Sequence, residues 1–280
     1  MSVRIYPIST GQVRVKNSQL LRAFGGPWRV MGDPHWSDWL PIHAWLIDHP
    51  EGPILIDSGE TCRACAAGYF PRWHPYYRRS ADFAITADDE VGPALRRLGL
   101  RVADVRKVLL THLHTDHAGG LHHLRASAVY VSAEEWRIAQ GVGGALRGYL
   151  AHRWPPGFAP RFYDFSGPPL GPFPRTCAIT QAGDVIVVPT PGHTPGHVSV
   201  IVRVGNLSYF FAGDASYTQD ALLAGRPDGV TFYPRSAVRT LARIVAYARV
   251  EPMVYLPAHD PQSALRLQAA HVLPRDAESA

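Results

Sequence analysis

Short apolar runs rich in Val, Ile and Leu recur along the chain, each bounded by Gly, Pro, Asn or Asp. Runs of this length and composition predict buried β-strands. The predicted strands are residues 42–48, 53–57, 107–111, 128–131, 184–190, 198–204, 207–214 and 253–258. Two consecutive pairs, 42–48 with 53–57 and 198–204 with 207–212, are spaced like hairpins. A purely parallel sheet is therefore not expected.

Helical patterns lie between these strands, at residues 87–98, 133–140 and 234–249. The first is preceded by a capping box, Thr86-x-x-Asp89, and is followed by Gly99. Strands and helices alternate without a repeat or a linker, so we expect one domain over residues 1–280 with mixed β-sheets flanked by helices.

Composition narrows the class of protein. Of the 280 residues, 46% are hydrophobic and 18% are charged, which is typical of a globular protein with a large core. The net charge is +5, but Lys16 and Lys107 are the only lysines and the arginines are scattered, so no nucleic-acid partner is expected. The sequence has no signal peptide and no run of 18 apolar residues, which predicts a cytoplasmic protein without a membrane partner.

The three cysteines, Cys62, Cys65 and Cys177, are too few and odd in number for a disulfide framework, which favours a reducing compartment. Cys62-Arg-Ala-Cys65 supplies only two of the four ligands that a structural zinc needs, and the sequence has no second such pair. We therefore interpret both as ordinary half-buried thiols.

The most informative segment is Thr111-His-Leu-His-Thr-Asp-His-Ala-Gly-Gly120, directly after an apolar strand. His112 and His114 are two residues apart at a strand end and project to the same side, so they can share one metal ion. Asp116 and His117 follow as the chain turns, and can offer a carboxylate and an imidazole to a second ion. This spacing predicts a metal site.

Three further segments place histidine or aspartate directly after a predicted strand. They contain His193 with His197, Asp214, and His259. Loops at strand ends commonly carry functional groups, and imidazole with carboxylate suits zinc as well as iron, cobalt or manganese. The pattern favours one dinuclear site with two divalent ions, and we expect zinc.

Over about residues 42–260, these segments in this order resemble the metallo-β-lactamase superfamily. The resemblance implies an α+β fold, a four-layer αβ/βα sandwich with mixed sheets. It implies that His112, His114 and His193 hold one metal ion, that Asp116, His117 and His259 hold the second, and that Asp214 bridges them. His197 is not expected to be a ligand.

Asp214-Ala-Ser-Tyr217-Thr218 looks like the corresponding segment of the N-acyl homoserine lactone lactonases, the quorum-quenching enzymes. This resemblance implies a small-molecule lactone substrate whose ring is opened by metal-bound hydroxide. We expect the phenol of Tyr217 to stabilise the oxyanion and Asp116 to carry a proton to the leaving oxygen. Tyr217 could instead serve core packing.

The remaining candidate residues have two interpretations each. Asp57 either orients a ligand histidine or caps a turn. Aromatic and apolar residues in an N-terminal insertion around 15–41, and after the second strand, either line an acyl-chain groove or form local packing and a homodimer interface. They are Leu20, Leu21, Phe24, Trp28, Trp36, Trp39, Phe70, Trp73, Tyr76 and Tyr77.

Other functions stay open at this point. The nearest alternative is a hydrolase of the same fold that acts on thioesters, phosphoesters or other esters and lactones. A β-lactamase would favour a cysteine at the position that Asp116 occupies. A non-hydrolytic metal-binding or redox protein is less favoured, because no ligand position is lost and no flavin domain is fused.

Overall fold

The structure is a computed structural model that describes residues 3–21 and 26–274. Contacts divide the chain into two compact units. Unit 1 is Met1–Asn17 with Met31–Phe162, and unit 2 is Ser18–Val30 with Tyr163–Ala280. Part of the aromatic-rich segment 15–41 thus groups with unit 2. That residues 1–280 act as one hydrolase domain stays a prediction.

Unit 1 contains a seven-stranded mixed sheet in the order β4-β1-β2-β3-β5-β6-β7. Strands β4, β1, β2 and β3 pair antiparallel, and β3, β5, β6 and β7 pair parallel. The strands are β1 (Arg4–Val15), β2 (Leu40–Asp48), β3 (Ile54–Ile56), β4 (Ala81–Ala84), β5 (Lys107–Leu109), β6 (Ala128–Val131) and β7 (Arg161–Phe162).

Unit 2 contains a five-stranded mixed sheet in the order β12-β11-β10-β9-β8, in which only β11 and β12 pair in parallel. The strands are β8 (Cys177–Ala178), β9 (Val185–Pro189), β10 (Val198–Val204), β11 (Leu207–Gly213) and β12 (Met253–Pro257).

Among the described residues, no helix is long and apolar enough to cross a membrane. The longest helix begins at Pro234 and buries Leu241, Ile244 and Ala248 against the core of unit 2, as its helical periodicity predicts. The helices are α1 (Asn17–Leu20), α2 (Gly26–Gly32), α3 (Pro75–Arg79), α4 (Val91–Arg97), α5 (Thr115–Ala118), α6 (Ala133–Ala139), α7 (Gln219–Leu223), α8 (Pro234–Val250) and α9 (Ser263–Gln268). Short 3₁₀ segments include Cys62–Cys65, Val102–Asp104, Gly119–His123, Ala145–Arg147 and Ala151–Arg153.

The predicted strands and helices are present, with small shifts at their ends. Both predicted hairpins form, as β2 with β3 and β10 with β11. The first predicted helix begins later than its capping box indicates. The Asp89 carboxylate accepts hydrogen bonds from the backbone and hydroxyl of Thr86, which closes a turn, and α4 starts only after Glu90. Gly99 follows this helix with φ +78°, as expected for a helix end.

The loop after β3 packs tightly against the loop after β5. A Cβ atom at Gly59, where φ is +68°, would lie 2.0 Å from the Thr10 hydroxyl oxygen. A Cβ at Gly120 would lie 2.2 Å from the Ser58 carbonyl oxygen, and one at Gly119 would lie 2.2 Å from the Glu60 carboxylate. The two glycines that close the histidine-rich segment are therefore needed for close approach of the backbones.

Candidate metal centre

Two histidines of unit 1, His112 and His114, follow β5 with their ring nitrogens facing each other. His112 Nε2 and His114 Nδ1 are 3.0 Å apart. The opposite nitrogen of His114 donates to the carbonyl of Arg147 at 3.0 Å, and that of His112 lies 3.1 Å from the Thr111 hydroxyl. Since a carbonyl can only accept, the neutral ring of His114 carries its lone pair on Nδ1, the atom that faces His112.

Asp57 fixes the ring of His117 in the same unit. Its carboxylate accepts hydrogen bonds from the Thr111 backbone at 2.7 Å, the Thr111 hydroxyl at 2.9 Å and His117 Nδ1 at 2.8 Å. His117 is fully buried and Asp57 almost so. The lone pair of the His117 ring therefore lies on Nε2, 3.9 Å from an Asp116 carboxylate oxygen. Asp57 thus contacts the His117 ring and the Thr111 backbone and hydroxyl, beyond capping a turn.

Glu60 is a buried acid of this loop that the sequence pattern did not single out. One carboxylate oxygen accepts from the backbone of Thr61 at 2.9 Å. Burial raises the pKa of Glu60 to about 8, although a hydrogen bond from Thr115 opposes the shift. At neutral pH Glu60 is therefore largely protonated, next to the segment that carries Asp116 and His117.

In unit 2, the Asp214 carboxylate presents one oxygen to each of two histidines. Oδ2 lies 3.5 Å from His193 Nε2, and Oδ1 lies 3.4 Å from His259 Nε2. The far nitrogen of His193 donates to Asp228 at 3.0 Å, which leaves the lone pair on Nε2. All three side chains of the Asp214 group are buried. Each oxygen of this buried carboxylate therefore faces a different imidazole nitrogen.

His197 has a different role in unit 2. Its Nδ1 donates to the Thr190 hydroxyl at 2.9 Å, and its Nε2 accepts from the backbone N–H of Asp214 at 3.0 Å. Both ring nitrogens are engaged by protein groups, so His197 positions the Asp214 backbone. This agrees with its expected structural role.

Tyr217 lies against the histidines of the Asp214 group. Its ring centroid is 5.2 Å from that of His259 and 6.2 Å from that of His193. The phenol oxygen accepts a hydrogen bond from the Gln19 amide at 2.8 Å. Gln19 lies 198 positions away in the sequence, and no motif indicates it.

The aromatic residues that the sequence suggests for an acyl-chain groove lie in several parts of the fold. In unit 1, Phe70 stacks on Tyr77 at 4.3 Å, and Tyr76 makes an edge contact with Tyr77 at 5.3 Å. The Tyr77 hydroxyl donates to the carbonyl of Gly148, a residue that also approaches the ring of His114. This aromatic cluster therefore borders the histidine pair.

The other candidates are more dispersed. Trp36 packs under Lys16, whose ammonium lies 3.7 Å from the ring centroid, which fits a packing role. Trp73 is 58% exposed in unit 1, and Trp28 is 81% exposed in unit 2, where Leu20 is half-buried. Phe24 lies outside the described residues.

Each unit thus supplies imidazole nitrogens and carboxylate oxygens whose orientation is set by neighbouring groups. Borderline divalent ions such as Zn²⁺ prefer this donor set, and hydrogen bonds to the far ring nitrogen are the usual support for a metal-binding histidine. The residues present therefore fit a divalent-metal centre.

The raised pKa of Glu60 predicts a pH-dependent stability of the metal-free protein. Folded Glu60 keeps its proton up to about pH 8, whereas an unfolded glutamate loses it near pH 4.5. Relative to Glu60→Gln, the free energy of unfolding of the wild type should be highest below pH 4.5, fall as pH rises to 8, and then level off. Urea unfolding of chelator-treated protein measures this difference. Glu134→Gln, at an exposed position, is the control. If the free-energy difference between wild type and Glu60→Gln were as independent of pH as that of the control, the raised pKa of Glu60 would be contradicted.

Comparisons with known proteins identify a family and relatives to which this chain is similar. A sequence model of the metallo-beta-lactamase superfamily matches residues 37–259. A probable metallo-hydrolase of Mycobacterium tuberculosis is 29% identical over 239 residues, which cover 79% of this chain and 75% of that protein. The N-acyl homoserine lactonase AttM of Agrobacterium fabrum is 24% identical over 277 residues, which cover 93% of this chain and 94% of AttM.

Solved structures show the fold. A crystal structure of a Bacillus thuringiensis AiiA mutant, with N-decanoyl-L-homoserine bound at its active site, has a TM-score of 0.75 at 22% identity, covering 94% of this chain and 95% of that one. The expected fold class, α+β with two mixed sheets and helices, is therefore confirmed. The match of one superfamily model to most of the chain establishes that this protein belongs to the metallo-beta-lactamase superfamily and is a metal-dependent hydrolase.

Proposed function

We propose that the chain is a dizinc lactonase that opens the ring of N-acyl homoserine lactones. The observation that carries this proposal is the placement of Tyr217, which is held by Gln19 and packed against His193 and His259. The similarity to AttM over almost the whole chain supports the same substrate class. The segment Asp214–Thr218, which resembles that of the lactonases, contains both the shared carboxylate and this phenol.

The superfamily resemblance supports a ligand set in which His112, His114 and His193 would hold one ion. Asp116, His117 and His259 would hold the other. Asp214 would be the shared ligand, a role that is supported by its two oxygens facing His193 and His259 separately. Asp57 and Asp228 orient the rings of His117 and His193 from behind. A carboxylate behind a ligand histidine also makes the ring more basic, which strengthens metal binding.

When bound, two divalent ions act as Lewis acids on the lactone carbonyl and lower the pKa of a bound water toward neutrality. The chain's own groups complete the chemistry. Tyr217 donates its phenol proton as a hydrogen bond to the oxygen that gains negative charge when the lactone carbonyl is attacked. Asp116, which is partly exposed, accepts the proton of the attacking water and passes it to the departing ring oxygen.

The acyl chain of the substrate needs an apolar surface near the reacting carbonyl. In unit 1, the aromatic cluster that includes Phe70 and Tyr76 borders His114 and supports a role for these side chains in holding the acyl chain. Trp73 extends this cluster through its contact with His74. In unit 2, Leu20 follows directly on Gln19 and so lies close in sequence to the residue that holds Tyr217. Trp36 is the candidate whose cation contact favours packing instead.

Proton release from a panel of N-acyl homoserine lactones, from short to long acyl chains, tests the function. Zinc-loaded protein should release protons rapidly, chelator-treated protein should not, and His112→Ala should lose most of the rate. The exposed-histidine variant His152→Gln is the control and should match the wild type. Fully metallated protein that hydrolyses thioesters or phosphodiesters but none of the lactones would contradict the proposal.

Tyr217→Phe tests the role of the phenol. It removes the phenol oxygen, which is both a hydrogen-bond donor and the acceptor for the Gln19 amide, without a change of charge or a large change of volume. The protein should therefore still fold and keep its metal content, with a modest loss of stability because the Gln19 amide loses this hydrogen bond. The kcat for lactones should fall by about 10-fold to 100-fold. Tyr209→Phe, a half-buried tyrosine of β11, is the matched control and should leave kcat unchanged. Equal kcat for the two variants would show that Tyr217 serves packing alone.

A further inference from the structure

A second group of metal-binding side chains lies in unit 1, away from the residues assigned above. His123 Nε2 is 2.5 Å and His122 Nε2 is 3.0 Å from the same oxygen of Glu90. The two imidazole rings lie 4.1 Å apart at an interplanar angle of 38°. One ring nitrogen of His122, one of His123 and one carboxylate oxygen of Glu90 all lie within 4.8 Å of one another.

Neighbouring groups hold these side chains in place. A Cβ atom at Gly92 would lie 2.6 Å from His123 Nδ1, so only glycine lets this ring rest on the first turn of α4. The carbonyl of Gly119 accepts a hydrogen bond from His122 Nδ1 at 3.0 Å. Glu90 Oε1 accepts hydrogen bonds from the Thr61 hydroxyl at 3.1 Å and from the Cys62 backbone at 2.9 Å. These two hydrogen bonds orient the carboxylate so that Oε2 faces both histidines.

The hydrogen bonds define which ring atom faces the carboxylate. Because His122 donates through Nδ1, its neutral ring carries a lone pair on Nε2, opposite a carboxylate oxygen that also carries lone pairs. Two lone pairs at 3.0 Å repel unless a proton or a metal ion lies between them. Burial lowers the pKa of His123, which the hydrogen bond to Glu90 only partly opposes. Burial thus favours the neutral ring of His123, and a divalent ion between the carboxylate and the two imidazoles would remove the repulsion at His122.

Glu90 remains an anion at neutral pH. Burial alone would raise its pKa, but hydrogen bonds from Cys62, His123 and Thr61 outweigh this and lower the pKa to about 2. The hydrogen bond to Glu90 raises the pKa of the Cys62 thiol, so this cysteine stays protonated and does not compete as a thiolate ligand. The donor set is thus two imidazoles and one carboxylate.

We propose that Glu90, His122 and His123 bind a single accessory divalent ion of the zinc class, separate from the proposed dinuclear centre. The side chains of His122 and His123 are 29% and 24% exposed, whereas that of Glu90 is 7% exposed. An ion can therefore enter from solvent, and water completes its coordination, as in other zinc sites with three protein ligands. The ion joins the start of α4 to the 3₁₀ segment Gly119–His123, which directly follows α5.

Metal content tests the proposal with Zn²⁺ alone as the probe. Full-length wild type and the double variant His122→Gln/His123→Gln are loaded with zinc, exchanged into metal-free buffer and analysed for bound metal. The variant should hold one equivalent less than the wild type, and His152→Gln should lose none. The difference between the two proteins does not depend on whether the dinuclear centre holds two ions, so failure of the proposed function would not be mistaken for failure of this site.

A second variant keeps the test valid if the double variant folds poorly. Glu90→Gln preserves the side-chain volume and an oxygen that can accept from Thr61 and Cys62, but removes the charged ligand. It should also hold one equivalent less, and zinc should raise its melting temperature less than that of the wild type, because an ion that binds only the folded state stabilises it. Equal metal content and equal melting shifts in the folded variants would show that the three residues form ion pairs only, and would overturn the proposal.

Discussion

The fixed orientation of the imidazole rings is the constraint on which the candidate centre depends. His117 is held by Asp57, His193 by Asp228 and His114 by the carbonyl of Arg147, in each case through the ring nitrogen that points away from the proposed ion. Each of these acceptors determines which nitrogen carries the lone pair. Without them each ring could rotate or change tautomer, and its lone pair would no longer be held in one direction.

The backbone conformation at the strand ends allows these orientations of the imidazole rings. Asp57 itself has a positive φ of 57°, an unusual conformation for a residue other than glycine. Its strain is offset by three hydrogen bonds to its carboxylate, from Thr111 and His117. The Ser58 backbone donates to the carbonyl of His117 at 2.8 Å, which joins the two loops directly. Local strain and close glycine contacts are thus found where the ligand rings must be positioned.

Local patterns in the sequence were sufficient to predict the buried strands and the segments after β5, β9, β11 and β12 that carry the candidate ligands. Strand β1 (Arg4–Val15) was missed because it contains no continuous apolar run, although its alternation of polar and apolar residues is itself typical of a half-buried strand. Gly11, with φ +102°, lies at a register shift within it. Strand β4 was missed because it is short and only half-buried at the sheet edge.

The supporting residues could not be predicted in the same way. Gln19 reaches Tyr217 across 198 positions, and Asp228 reaches His193 across 35, so their roles arise only from tertiary contacts. Glu90 and the adjacent His122 and His123 are likewise separated by more than 30 positions and became a candidate site only through the packing of α4. Sequence patterns identify the ligands that follow a strand, whereas the groups that orient them depend on how distant loops meet.

The proposed chemistry depends above all on a dinuclear metal centre that includes Asp214. Anomalous diffraction at the zinc edge, from crystals of the zinc-loaded protein, tests it most directly. We expect two peaks about 3.5 to 4 Å apart, the spacing typical of two-metal hydrolases, with one Asp214 oxygen near each peak. A single peak at Asp214, or two ions too far apart for its carboxylate to join, would contradict it.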